Sequence, residues 1–190
     1  MKLAMLKRNQ GFTLVELLIV AIILAILAAI VLPQFSATTR DAEEAALRAN
    51  LATLRNAVEL YRQQHGEYPA VSASSGGVCT GTAGTGALET QLAIQDQLTR
   101  YTSANGQSCS LPDAGAFAFG PYLREDNFPE NPVTKSNVVT IVGAAAPSAG
   151  DLNMAGDGPA VGGWKYDVLS GKFIANDTNL DAAGVSYDSY

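Results

Sequence analysis

The sequence is poor in the side chains that most metal and nucleophile chemistry requires. Its 190 residues include one histidine, His65, and two cysteines, Cys79 and Cys109. Zinc sites built from four cysteines, or from two cysteines and two histidines, are excluded because the ligands are not there. A Ser-His-Asp triad would have to use His65, and nothing around that residue points to one. Basic residues are also scarce. Twelve Lys and Arg stand against 18 Asp and Glu, for a net charge of −6. A sequence-independent nucleic-acid binder needs a basic face. Here Arg100, Arg124, Lys135, Lys165 and Lys172 are scattered along the chain. Gly171-Lys172 runs into Phe173 and makes no phosphate loop. Gly156-x-Gly158 sits beside Pro159, without the strand-turn-helix setting of a dinucleotide site. Charged residues make up only 16% of the chain, which argues against a charge-rich disordered protein.

What is abundant is apolar surface, and much of it is at one end. Residues 17–35 carry no charge at all. Roughly 20 apolar residues of helix cross a ~30 Å hydrocarbon core, so this stretch predicts a membrane span. The ten residues at the start are basic, with Lys2, Lys7 and Arg8 and no acid. A cleaved secretory signal is the alternative, since Ala25-Ile26-Leu27-Ala28-Ala29 mimics a peptidase site. Two features favour another reading. Glu16 lies inside the apolar run, where a carboxylate costs about 2–3 kcal/mol or more and calls for a partner cation. The basic leader also ends abruptly at Gly11-Phe12. Cleavage there would free an amine four residues from Glu16, on the same helix face, able to pair within a chain or between neighbouring chains.

The block Lys7-Arg8-Asn9-Gln10-Gly11 followed by Phe12-Thr13-Leu14-Val15-Glu16-Leu17-Leu18 closely resembles the processing site of type IV prepilins. The resemblance implies cleavage between Gly11 and Phe12 by a prepilin peptidase and N-methylation of Phe12. It implies that Glu16 pairs with a neighbouring subunit during assembly, and it matches Pro33 to a proline common in the family. The positive-inside rule puts the leader in the cytoplasm and the remainder outside it. The expected organisation is a leader over 1–11, a hydrophobic transmembrane and assembly helix over 12–35, and a head over 36–190 that includes the amphipathic half of the helix, 36–64.

Pro33 is expected to kink the helix near its membrane exit. Beyond it, Leu47, Leu51, Leu54, Val58 and Tyr61 form one helical stripe facing a core. Glu44/Arg48 and Arg55/Glu59 are expected i,i+4 pairs. Gly66 and Pro69 end the helix, with His65 as a cation near its C-terminus. Residues 71–87 read as a flexible loop. A short second helix is expected over 87–101, through Leu88, Leu92, Gln95, Leu98 and Tyr101. Cys79 and Cys109 flank it; outside the cytoplasm they are expected to pair, two free thiols being the alternative. Residues 138–142 read as a strand and 143–163 as a long loop. A hairpin follows, with Trp164, Tyr166 and Val168 on one face.

The sum is an α+β pilin fold: a long N-terminal helix packed on a small antiparallel sheet. Ala57-Val58-Glu59-Leu60-Tyr61-Arg62 leading to Gly66-Glu67-Tyr68-Pro69 looks like the helix end of major pseudopilins of type II secretion. Pro121-Tyr122-Leu123, Phe128-Pro129-Glu130-Asn131-Pro132 and Gly163-Trp164-Lys165-Tyr166-Asp167 are similar to later parts of the same group. The loops at 70–87 and 143–163 depart from it. An EF-hand reading of Asp177, Asn179, Asp181 and Asp188 fails because Ala182 stands where glycine is needed and the last ligand is Asp. Major pseudopilins, however, bind calcium in an Asp-bearing C-terminal loop, so these four residues become a candidate structural Ca2+ site by resemblance; a solvated acidic tail is the alternative.

The implied function is structural, with no catalytic residue. The chain would be a subunit of a type IV pilus-like filament, in particular a type II secretion pseudopilin serving export across the outer membrane. The alternative is a surface pilus pilin for adhesion, motility or DNA uptake. Implied partners are copies of itself, minor pilins or pseudopilins, the prepilin peptidase and an inner-membrane assembly platform, with no nucleic acid. The resemblance places the chain in the inner membrane before assembly, with its head periplasmic, and in a periplasmic or cell-surface filament afterwards.

Overall fold

A computed structural model describes residues 12–146 and 149–190. The element order is α1 (Leu14–His65), α2 (Gln91–Thr99), β1 (Tyr101–Thr102), β2 (Ser108–Cys109), β3 (Val139–Val142), β4 (Trp164–Asp167) and β5 (Phe173–Ala175), closing with a 3-10 turn at Tyr187–Ser189. The chain separates into two compact units, Met1–Ala42 and Glu43–Tyr190.

In the first unit the described residues 14–42 are helical. The helix starts at a capping box, in which a threonine and a glutamate three residues on satisfy each other's backbone N–H. Thr13 Oγ1 accepts from the Glu16 backbone N–H at 3.2 Å, and a Glu16 carboxylate oxygen accepts from the Thr13 N–H at 3.1 Å. The helical assignment runs through position 33 without interruption.

In the second unit the core forms around the stripe that the periodicity predicts. Leu47, Leu51, Leu54, Val58 and Tyr61 are all buried, together with Ile94 and Leu98 of α2 and Trp164, Tyr166 and Phe173 of the sheet. Each such side chain contributes about 1.5–3 kcal/mol on burial. Trp164, Tyr166 and Val168 share the buried face of the hairpin as expected. The helix ends at Gly66, whose φ of +78° and N–H to Arg62 O at 2.8 Å make a left-handed cap.

Several local expectations give way to tertiary contacts. Neither Glu44/Arg48 nor Arg55/Glu59 pairs along the helix. Arg48 instead reaches Asp181 at 3.8 Å and lies over the Tyr190 ring. Arg55 donates to the backbone oxygens of Phe173 and Tyr190. The second helix is shorter than its pattern suggested. Thr90 caps it, Tyr101 has passed into β1, and Leu88 and Leu92 are exposed while Ala93, Ile94 and Leu98 face the core. The β4–β5 pair is antiparallel, whereas β3 adds to β4 in parallel. A parallel return needs a connection of about a dozen residues or more, which the 143–163 loop supplies. His65, expected as a cap-like cation at the helix end, is packed among aromatic rings. Its ring stacks on Tyr61 at 4.0 Å, with Nε2 at 3.0 Å from Thr102 Oγ1 and 3.1 Å from the Tyr122 hydroxyl. Burial lowers its pKa, opposed by the backbone of Ala104.

Cys79 and Cys109 are joined in a disulfide, with Cα atoms 5.8 Å apart. The 71–87 segment is not loose. Buried Asp96 of α2 accepts from Ser74 Oγ at 2.8 Å, Thr85 N at 3.0 Å and Gly86 N at 3.4 Å. Its neighbour Gln97 accepts from Ala70 N at 2.6 Å and donates to the carbonyls of Ser72 and Gly106.

Candidate assembly helix and acidic loop

Two places collect the residues singled out in the sequence. The first is the N-terminal helix. Over Leu14–Val31 it is long and apolar enough to cross a membrane, and none of that segment is buried. Leucine, isoleucine and valine face outward all round it, the pattern of a helix that needs lipid or other helices as its surroundings. Gly11 and the leader lie outside the described residues. Phe12 is exposed and precedes the first helical residue, Leu14. Glu16 sits in the first turn, where one carboxylate oxygen takes both the backbone N–H and the hydroxyl of Thr13, at 3.1 and 3.0 Å. In the uncleaved chain the nitrogen of Phe12 is an amide. The carboxylate is therefore held by Thr13 and by the positive end of the helix dipole. Thr13 was missed in the sequence, although Thr13-Leu14-Val15-Glu16 is a capping-box pattern that could have shown it.

The second place is the C-terminal loop. Asp181 lies with one oxygen accepting from Ala183 N and Val185 N, both at 2.8 Å, and the other facing the Tyr190 hydroxyl and Arg48. The Tyr190 hydroxyl, then the Val185 and Ala183 N–H groups and Arg48, hold its carboxyl below the usual range. Asp188 accepts from Gly156 N at 2.8 Å and from Ser186 Oγ at 2.5 Å. Asp177 is buried; its Oδ1 accepts from Ala160 N at 2.8 Å and Asn179 N at 2.9 Å, and its Oδ2 has no hydrogen-bond partner among the described residues. Asn179 contributes its backbone N–H to Asp177 and its carbonyl to Tyr187 N. The set thus divides between local turns, at Asp177–Asn179 and Asp181–Val185, and contacts to the 156–160 segment through Asp177 and Asp188. Among the described residues no three acidic, histidine or cysteine side chains converge as a metal site would require. One uncommitted oxygen, Asp177 Oδ2, does not make a calcium site, which takes six to eight oxygens. The set does not fit the ion that the resemblance implies.

Comparison with known proteins bears on the first place. A family model described as the prokaryotic N-terminal methylation motif matches residues 6–32, spanning the basic leader, Gly11, Phe12, Glu16 and the apolar helix. With that motif leading into an exposed apolar helix, followed in sequence by an α+β head, the chain is similar to type IV pilin-like proteins. Within that superfamily it is similar to the type II secretion system core protein G. The Aeromonas hydrophila protein of that name is 33% identical over 63 residues, covering 33% of this chain and 44% of the relative. The Pectobacterium carotovorum protein is 28% identical over 105 residues, covering 55% and 60%. The Pseudomonas aeruginosa protein is 34% identical over 63 residues, covering 33% and 44%. The chain thus spans about half the length of the curated relatives it matches. No solved structure matches it.

Proposed function

We propose that this chain is a pseudopilin, a non-enzymatic subunit that assembles through its N-terminal helix into a filament serving type II protein secretion. One observation carries the reading. The segment matched by the methylation motif is the same segment whose helix is apolar on every side and unburied, with a single carboxylate in its first turn. Such a helix is stable in lipid and becomes stable in a bundle of like helices once an amine neutralises Glu16. Cleavage after Gly11 supplies that amine at Phe12. The small residues Ala21, Ala25, Ala28 and Ala29 permit close approach of helices. The implied partners are further copies of the chain, minor pseudopilins, the prepilin peptidase and an inner-membrane assembly platform. The head stands outside the cytoplasm, where the disulfide persists.

The test is mass spectrometry of the N-terminal peptide from membrane and sheared extracellular fractions, alongside secretion assays of a deletion strain. A peptide starting at N-methylated Phe12, found mainly in membranes, with a secretion defect on deletion, is the expected outcome. The same peptide mainly in sheared filaments, with lost motility or adhesion, would assign the chain to a surface pilus. An intact Met1, or a start near Ile30, would defeat both. Glu16→Ala is expected to leave cleavage and membrane insertion intact and to abolish assembly, read by crosslinking of adjacent subunits.

A further inference from the structure

The acidic side chains of the C-terminal loop do not converge among the described residues, while the neighbouring 150–158 segment presents the kind of oxygen set that a cation organises. The carbonyls of Leu152, Met154 and Ala155 and the carboxylate of Asp157 all point at positive charge. That charge comes from the hairpin. Lys165 of β4, its side chain only 12% exposed, sets Nζ 3.0 Å from Ala155 O and 2.5 Å from Asp157 Oδ1. Lys172, just before β5, sets Nζ 2.6 Å from Leu152 O and 3.0 Å from Met154 O. The other oxygen of Asp157 accepts from Asn176 Nδ2 at 2.9 Å, and Asn176 Oδ1 accepts from Asp157 N at 2.7 Å. Asp188 then holds Gly156 N.

We propose that two lysine ammonium groups, Lys165 and Lys172, serve in this head as the internal cations that fasten the 150–158 loop to the sheet, and that the head folds without a divalent ion. Each ammonium has three N–H donors and here places two of them on loop oxygens. Hydrogen bonds of this kind, with a charged donor, are about twice as strong as neutral ones. Of the acidic residues that a calcium site would need, Asp181 binds N–H groups of its own turn with Tyr190 and Arg48, and Asp177 and Asp188 accept from the Ala160 and Gly156 N–H groups of the neighbouring loop. Rigidity comes from within the chain, without dependence on the ion content of its compartment. The inference concerns the head alone and stands whether the chain assembles into a pseudopilus or a surface pilus.

The test uses the full chain in detergent. Thermal unfolding and amide exchange are measured in excess calcium chloride and in EDTA. The expected result is one unfolding temperature and one exchange rate for the Gly156 and Asp157 amides in both conditions. Lys165→Met and Lys172→Met are each expected to speed exchange of those two amides about tenfold or more, while β4–β5 amides stay protected. A fall in unfolding temperature with EDTA, or slower loop exchange with calcium, overturns the proposal. If that calcium response disappears in Asp177→Asn, the ion is seated at Asp177. Lysine variants that fold but exchange like the parent overturn it as well. Should both lysine variants fail to fold, the comparison of calcium with EDTA in the parent chain still decides.

Discussion

Asp96 carries more of the head than its position on a short surface helix suggests. It is buried, and its carboxylate is the common acceptor for Ser74 Oγ, Thr85 N and Gly86 N. Removing it takes this acceptor from Ser74 Oγ and Thr85 N and leaves Gly86 N with Ser74 Oγ alone, and a buried donor left unpaired costs about 1–3 kcal/mol. Asp96→Ala is therefore expected to lower stability by about 3 kcal/mol or more in urea denaturation, with new amide exchange at Thr85 and Gly86. His65 acts in a different way. Burial holds its imidazole below the ordinary value, so the unfolded chain binds the proton more readily than the folded one. The stabilisation from this group is complete above about pH 6.5 and is lost as the pH falls from there through the lowered folded pKa. The unfolding temperature should fall over that window in the parent chain. The fall should be smaller in His65→Gln, which does not titrate.

Among the elements, the turns that close helix and hairpin separate two roles of glycine. Gly66 caps α1 at φ +78° with open space around the position of a side chain. Gly171 turns the hairpin at φ +70°, and a Cβ there would strike the ring of Tyr68. Gly66→Ala is expected to cost about 1–2 kcal/mol, the backbone penalty alone. Gly171→Ala should cost clearly more, because Tyr68 must also leave the Arg62 guanidinium that stacks on its ring. Chemical denaturation of the two variants side by side checks the ordering. The disulfide closes a separation of 30 residues across α2. Reduction should lower stability by about 3–4 kcal/mol in the chain-entropy account, read as a lower unfolding temperature in dithiothreitol. The Asp96 and Gln97 contacts do not depend on that bond, so residues 70–74 should stay ordered after reduction.

At the scale of the molecule, the two units rest on different physics. Residues 14–31 expose leucine, isoleucine and valine on every side, and such a surface is stable only in lipid or against other helices. The head is held by a main hydrophobic core along the α1 stripe and a smaller cluster of Val142, Met154 and Ile174. Around that core, buried polar side chains tie down loops that have little apolar surface of their own. Asp96, Gln97, Asn131 and Asp167 each accept from or donate to the backbone of a loop distant in sequence. Amide exchange of the whole head should therefore show the 70–87 and 150–158 segments protected well beyond what their Gly- and Ser-rich composition suggests.

Periodicity and composition alone were enough for the apolar helix, the core stripe and the hairpin face, while the block around Gly11-Phe12 with Glu16 stood out by its resemblance to prepilins. These signals are local: a helix repeats every 3.6 residues, a strand every two, and a charge in an apolar run stands out by itself. The partners of polar side chains were a different matter. Arg48 and Arg55 had an acid four residues away and turned instead to Asp181, Tyr190 and Phe173. Asp177, Asp181 and Asp188 kept the spacing of a cation loop but went to separate partners, the Ala160 N–H, the Val185 N–H with Tyr190, and the Gly156 N–H. Lys165 and Lys172 read only as scattered bases along the chain, and in the fold both reach oxygens of the 150–158 loop. Such choices depend on which donors and acceptors the packed core brings within 3 Å of one another. That is a property of three-dimensional closure, and spacing along a chain does not carry it.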